Sequence, residues 1–276
     1  MPIYQAIVLG LVQGLSEFLP ISSSGHLILT RWLFGWEASG DPSIDKAFDV
    51  ALHIGTLVAV VSYFRHDVVK YIREGTRLLW HRERPVDTDG RIAWLLVVAT
   101  IPAAVVGALF EDQIDETLGT PVIIAISLIV FGLLLYWADR FTGTRSIEEL
   151  RLRDAVWVGA AQTLALNPGT SRSGITITAS RRIGFNRDAA ARLSFLLSLP
   201  VITGAVVLKV GGLIADGVPS DLVWPMVIGV IASGLSGWAA VWGTMRLIRT
   251  RSFTPFVIYR VSLGLAVLLL AATSWR

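Results

Sequence analysis

The residues best suited to chemistry fall in two short polar clusters, each set between apolar stretches. The first reads Gln13-Gly14-Leu15-Ser16-Glu17-Phe18-Leu19-Pro20-Ile21-Ser22-Ser23-Ser24-Gly25-His26. Gln13 and Glu17 stand four apart and so share one helix face. Pro20 ends that helix, and the serines can cap the start of the next. A carboxylate at membrane depth costs about 2.5–3.5 kcal/mol on insertion scales, so Glu17 calls for a partner: a metal, a proton or an arginine. The second cluster reads Asn167-Pro168-Gly169-Thr170-Ser171-Arg172-Ser173-Gly174. Its small residues let backbone N–H groups approach an anion at a helix start. Arg172 adds a permanently charged, bidentate fork that suits phosphate.

Each of these residues also has a plainer reading. The serines can be helix caps alone, Glu17 and Arg172 a structural ion pair between two hairpins, and His26 a polar anchor of its helix start. Asp49 and His53 share a face near the outer end of a span, where a solvated rim position is expected. Arg260, about two turns into the last span, reads as snorkelling or structurally paired, and Lys209 as snorkelling near the outer face.

The elements that must position these clusters follow from composition. Of 276 residues, 53% are hydrophobic and only 16% charged, against about 25% charged in soluble domains. Mean hydropathy is +0.62. With a formal charge of +3 in this setting, no nucleic-acid partner is expected, and the absence of cysteine excludes disulfides and thiolate metal sites. The N-terminus MPIYQAIVLG lacks a basic region and a cleavage site, so no removable signal is expected. The apolar segments are continuous rather than alternating, which predicts an all-α, polytopic membrane protein and not a barrel.

Six segments read as full spans: 47–64, 92–110, 121–138, 193–213, 222–245 and 255–275. Segment 65–92 between two of them reads as a basic loop with Arg65, Lys70, Arg73, Arg77, Arg82, Arg84 and Arg91. Segments 139–154 and 246–254 are also basic. Segments 111–120 (Glu111, Asp112, Asp115, Glu116) and 214–221 (Asp216, Asp221) carry no basic residue. The positive-inside rule puts the first three in the cytosol and the last two outside. Trp94, Trp137, Trp224 and Trp275 fall at span ends, where an aromatic belt would sit.

Two segments remain, 2–36 and 153–188, which contain the two polar clusters. Each is a pair of apolar arms of about 10–15 residues, too short to cross a core of about 30 Å. They read as re-entrant helical hairpins, the first entering from outside and the second from the cytosol. Each half of the chain is then one hairpin plus three spans: 1–140 and, inverted, 152–276. At an offset of 149, Gln13 lies over Gln162, and Ser22-Ser23-Ser24-Gly25 over Ser171-Arg172-Ser173-Gly174. These matches predict an inverted repeat whose tips meet near the midplane, with Arg172 facing Glu17 and Ser23.

The stretch QGLSEFLPISSSGH, followed about 150 residues later by PGTSRSG, resembles the undecaprenyl-diphosphate phosphatase family linked to bacitracin resistance. The resemblance covers essentially the whole chain, including DVALHIGTL at 49–57 and LSFLLSLPVITGA at 193–205. It implies an inner-membrane enzyme that converts the C55 isoprenyl diphosphate carrier to its monophosphate, recycling it for cell-wall synthesis. A divalent cation and an active site open to the outer face are implied too. Carried over by residue, the family's glutamate pair falls on Gln13, an allowed variant, and on Glu17. Its serine and histidine positions fall on Ser22, Ser23 and His26, and its arginine on Arg172.

On this reading Glu17, with Gln13, is expected to hold Mg²⁺ or Ca²⁺ against the diphosphate. Arg172 and the Thr170–Ser173 backbone would stabilise the departing phosphoryl charge, with Ser22, Ser24, Thr170, Ser171 and Ser173 as phosphate contacts. Ser23, activated by Glu17 or His26, is the first choice of nucleophile, and a metal-bound water the second. The polyprenyl diphosphate would enter sideways from the membrane lipids. A homodimer is compatible with the sequence but not required by it. The competing class is a flippase or transporter of a polyprenyl-phosphate lipid, which shares broken helices and inverted repeats. A purely structural membrane protein would leave the buried charges unexplained.

Overall fold

A computed structural model describes residues 1–36, 42–80, 87–216 and 220–273. The side chains of Glu111, Asp112, Asp115, Glu116, Lys209, Asp216 and Trp275 lie outside the described residues, so the expectations placed on them are not taken further. Among the described residues every named element is helical. The first polar cluster lies between α1 (Ile3–Phe18) and α2 (Ser23–Phe34). The second lies between α7 (Leu152–Gln162), extended by a 3₁₀ turn at Thr163–Leu166, and α8 (Arg172–Arg182). α1 has 16 residues, about 24 Å at 1.5 Å per residue, short of a hydrocarbon core of about 30 Å.

The six apolar segments are all helical: α3 (Pro42–Tyr63), α5 (Thr88–Leu118), α6 (Pro121–Asp139), α9 (Arg187–Asp216), α10 (Ser220–Ile248) and α11 (Thr254–Ala272). Five contain a stretch long and apolar enough to cross a membrane, and α3 makes a sixth when joined to the helix after it. That helix is a correction to the expected loop at 65–92. Residues Arg65–Trp80 form α4, which leaves α3 at an angle of 87°. Its helical signal is the set Tyr71, Glu74, Gly75 and Leu78, three to four apart, which faces α5. Tyr71 and Glu74 are buried there, and the Trp94 indole N–H donates to the Gly75 carbonyl at 3.0 Å. The opposite side leaves Val69, Ile72 and Leu79 exposed among arginines.

Helix packing relies on small residues, because lipid offers no hydrophobic force to push apolar helices together. Gly10 and Gly14 of α1 lie against Gly229, Ser233 and Ser236 of α10 so closely that a Cβ on Gly14 would sit 2.0 Å from Ser236 Oγ. Gly55 of α3 meets the same helix from another side, 2.2 Å from the Val230 carbonyl by the same measure. The first hairpin and α3 are thus both fixed to α10. The second hairpin packs on α5, α6 and α9. Between them an aromatic cluster of Phe18, Phe64 and Phe195 fills the core beside the first tip. Outward-facing Leu235 and Leu269 are about 70% exposed, as expected of side chains that meet lipid.

Candidate active site

The two tips share an uncommon backbone. Ser22, which caps α2, has φ 80°, and Ser171, which caps α8, has φ 73°. Among the described residues these are the only non-glycine positions with positive φ. Such conformations cost roughly 1–3 kcal/mol each and persist where surroundings enforce them, typically at functional sites. The enforcement is visible: each serine hydroxyl accepts the N–H of a glycine three residues on, Gly25 in one tip and Gly174 in the other. The tips also hold each other. Ser22 Oγ accepts the Gly169 N–H at 3.0 Å, and Ser173 Oγ donates to the Leu19 carbonyl at 2.9 Å.

Glu17 stands at the end of α1 with its side chain 5% exposed. Arg172, the first residue of α8, donates through Nη2 to Glu17 Oε1 at 3.0 Å. Ser23, the first residue of α2, donates to Glu17 Oε2 at 2.6 Å, a separation typical of a hydroxyl on a charged carboxylate. Ser23 and Arg172 are themselves 149 residues apart, so corresponding positions of the two tips converge on one carboxylate. Gln13 Nε2 donates to Glu17 Oε2 at 3.1 Å, while Gln13 Oε1 is buried without a hydrogen-bond partner.

A cavity of about 200 Å³ opens over this cluster, lined by Glu17, Ser22, Ser23, Ser24, His53 and Arg172 on its polar side. Ala165, Val201, Ile202 and Ala205 form its apolar side. It is a space large enough for several waters or a phosphate-sized group. Helices α2 and α8 both begin beside it, which brings two positive dipole ends near Arg172. A single carboxylate leaves this surround short of negative charge, which suits a phosphate-bearing anion.

The structure places other expected residues elsewhere. His26 Nδ1 contacts the Ser22 carbonyl at 2.6 Å, and Nε2 contacts the Tyr259 hydroxyl at 2.8 Å, with the two rings stacked. Both ring nitrogens are therefore engaged away from Ser23. Thr170, Ser171 and Ser173 are buried and do not line the cavity. Their hydroxyls serve the tips: Thr170 Oγ1 accepts from Asn167, and Ser171 Oγ lies 3.1 Å from Ser173 Oγ.

Sequence reasoning missed what two residues touch. His53, with its side chain 29% exposed, lines the cavity: its Nε2 lies 3.6 Å from Glu17 Oε2, and its Nδ1 is held by the Asp49 carbonyl at 2.8 Å. The available signal was its position inside an apolar run, where an ionisable group needs a partner as much as Glu17 does. Asp49 instead forms a two-pronged pair with Arg31, tying α3 to α2. Arg260 neither snorkels nor forms an ion pair among the described residues. It is fully buried and surrounded by carbonyl oxygens.

Fold and site together define a multi-pass helical membrane protein with a carboxylate, a serine and an arginine gathered at a cavity large enough for a phosphate-sized group. The chain belongs to the family of the bacitracin resistance protein BacA, whose model matches residues 6–266. It is 43% identical to a protein of Pelotomaculum thermopropionicum named undecaprenyl-diphosphatase, over 99% of this chain and 98% of that one. A protein of the same name from Desulforudis audaxviator is 46% identical over 97% of both chains. One from Moorella thermoacetica is 44% identical over 100% of this chain and 99% of its own.

Proposed function

We infer that this chain is an integral membrane undecaprenyl-diphosphatase, hydrolysing the lipid diphosphate to its monophosphate and inorganic phosphate for reuse in cell-wall synthesis. The observation that carries the chemistry is the Ser23 hydroxyl held on Glu17 at 2.6 Å, with Arg172 on the other carboxylate oxygen. A translocator needs a cationic cradle for its lipid but no hydroxyl held on a base.

In this proposal Ser23 Oγ attacks the terminal phosphorus while Glu17 takes its proton. The bond from that phosphorus to the bridging oxygen breaks, and the lipid monophosphate leaves. Glu17 passes that proton to the departing lipid monophosphate; water then attacks the phosphoserine, Glu17 taking its proton and returning it to Ser23 Oγ as the bond from Oγ to phosphorus breaks and inorganic phosphate is released. The transition state of phosphoryl transfer is loose, so most of the work is positioning and charge stabilisation. Arg172 and the positive dipole ends of α2 and α8 supply that stabilisation on the cavity side. Glu17 thus takes the base role, because both ring nitrogens of His26 are engaged with Ser22 and Tyr259.

The residues present fit a divalent cation bound together with the diphosphate rather than in a cage of its own. Of the two expected donors the Glu17 carboxylate lines the cavity, while Gln13 Oε1 is buried without a partner one helical turn away and does not line it. Mg²⁺ is commonly held by one or two carboxylates plus substrate phosphates, and Mg²⁺ or Ca²⁺ here would neutralise charge on the diphosphate.

We read residues 1–140 and 152–276 as two repeats of opposite orientation, with the cavity opening to the outer face. The distribution of basic residues and the matching Ser22 and Ser171 caps support that reading. The apolar side of the cavity at Val201, Ile202 and Ala205 suits the first isoprenyl units of a tail that stays in the bilayer. The test is product analysis by phosphorus NMR with purified protein and C55 diphosphate. Equal amounts of lipid monophosphate and inorganic phosphate are expected. Substrate recovered intact from folded, substrate-binding protein would reject the enzyme.

A further inference from the structure

Arg260 is a full cation in the interior of the protein, six residues into α11, with 0% exposure. Among the described residues no carboxylate lies within ion-pair distance of it. Burying a charge is costly unless it is hydrogen-bonded, and here the acceptors are backbone carbonyls from three parts of the chain. Nε donates to Leu128 at 3.1 Å and Nη2 reaches Ser127 at 3.4 Å, both in α6. Nη1 donates to Pro20 at 3.1 Å, in the first tip. Nη2 donates to Gly169 at 2.9 Å and Thr170 at 3.0 Å, in the second.

Pro20 and Gly169 are 149 residues apart, the same interval that separates Ser22 from Ser171 and Ser23 from Arg172. One planar guanidinium therefore grips corresponding carbonyls of the two tips. Just beyond each gripped carbonyl comes the strained serine and then the residue that meets Glu17. In a trans peptide the N–H points opposite to the carbonyl. Holding the Thr170 carbonyl on Arg260 thus turns the Ser171 N–H away from it, and that N–H has no acceptor among the described residues.

We propose that Arg260 is a positioning residue for the reaction: by bridging the two tips it sets the placement of Ser23 and Glu17 relative to Arg172. The inference rests on the tips being the active site. Lysine keeps a charge but not the planar fork, so it can satisfy fewer of these carbonyls at once. Because reacting groups misplaced by about 1 Å can lose about a hundredfold in rate, the effect belongs in kcat rather than in substrate affinity.

The test compares Arg260→Gln, Arg260→Lys and Gly132→Ala with Glu17→Gln and Arg172→Ala in the purified full chain, using C55 diphosphate. A Cβ on Gly132 would lie 3.3 Å from Arg260 Cβ and 3.5 Å from its Nε, shifting the arginine while removing no polar group. The chain has no cysteine, so spin labels at Leu15→Cys and Leu164→Cys, both exposed positions 149 apart, read the separation of the hairpins. We expect Arg260→Gln to lower kcat about thirtyfold or more with KM within about threefold, Arg260→Lys to recover part of the loss, and the label distances to broaden. A folded Arg260→Gln with kcat within about threefold of wild type, beside an inactive Arg172→Ala, would overturn the inference alone. Full activity in Glu17→Gln and Arg172→Ala would instead reject the site. If Arg260→Gln does not fold, Gly132→Ala decides: a kcat loss of about threefold or more at unchanged KM supports the role, and wild-type kcat overturns it.

Discussion

At the scale of single residues, Glu17 organises the site because everything else there satisfies it. Its oxygens are shared among Arg172, Ser23 and Gln13, with His53 close by. Buried ion pairs are weak evidence of stability, since desolvation offsets much of their attraction. The Glu17–Arg172 pair is therefore better explained by what it positions. Ser23→Ala removes the proposed nucleophile and one hydrogen bond while leaving the carboxylate and arginine in place. Phosphate release should fall by about a thousandfold or more with the melting temperature little changed. Near-normal turnover would exclude the serine nucleophile. The meeting of Glu17 with Arg172 was legible in the sequence, because each is too costly in a membrane to stand alone and the two polar clusters correspond at an offset of 149. Arg260 was not, because backbone carbonyls carry no residue signature. His53 was missed because its depth in α3 could not be judged against a tip reached by another segment.

At the scale of elements, precision at the tips depends on helices that approach with almost no side chain between them. α1 and α10 meet through Gly10, Gly14, Gly229, Ser233 and Ser236. Gly14 is one residue after Gln13 and one turn before Phe18, so its packing fixes the height of Glu17. Gly14→Val would drive a branched side chain into the Ser233 carbonyl and Ser236. Overpacking of this kind costs typically about 1–3 kcal/mol, and more where backbone blocks relaxation. A thermal unfolding series in detergent should show a melting temperature lowered by several degrees or more, with activity lost alongside. An unchanged melting temperature would show that α1 is not seated on α10 as described. The apolar segments announced their helices through length and continuity. α4 stayed hidden because its buried face is short and its other side mixes apolar residues with arginines, which reads as a polar loop.

For the whole molecule, the account joins a catalytic centre to a lipid solvent through the pairing of two short hairpins. Neither hairpin is long enough to span the bilayer, and each supplies what the other lacks: carboxylate and serine from the first, arginine from the second. The six apolar segments were legible from length and continuity, whereas of the second polar cluster, expected as an anion cradle, only Arg172 lines the cavity. The most direct measurement of the central claim is phosphate release from C55 diphosphate by wild type, Glu17→Gln and Arg172→Ala, each with divalent cation and with chelator. The account predicts cation-dependent release by wild type and a loss of about a hundredfold or more in both variants. Release that persists in folded Glu17→Gln and Arg172→Ala would contradict it and place the active site away from the meeting of the two tips.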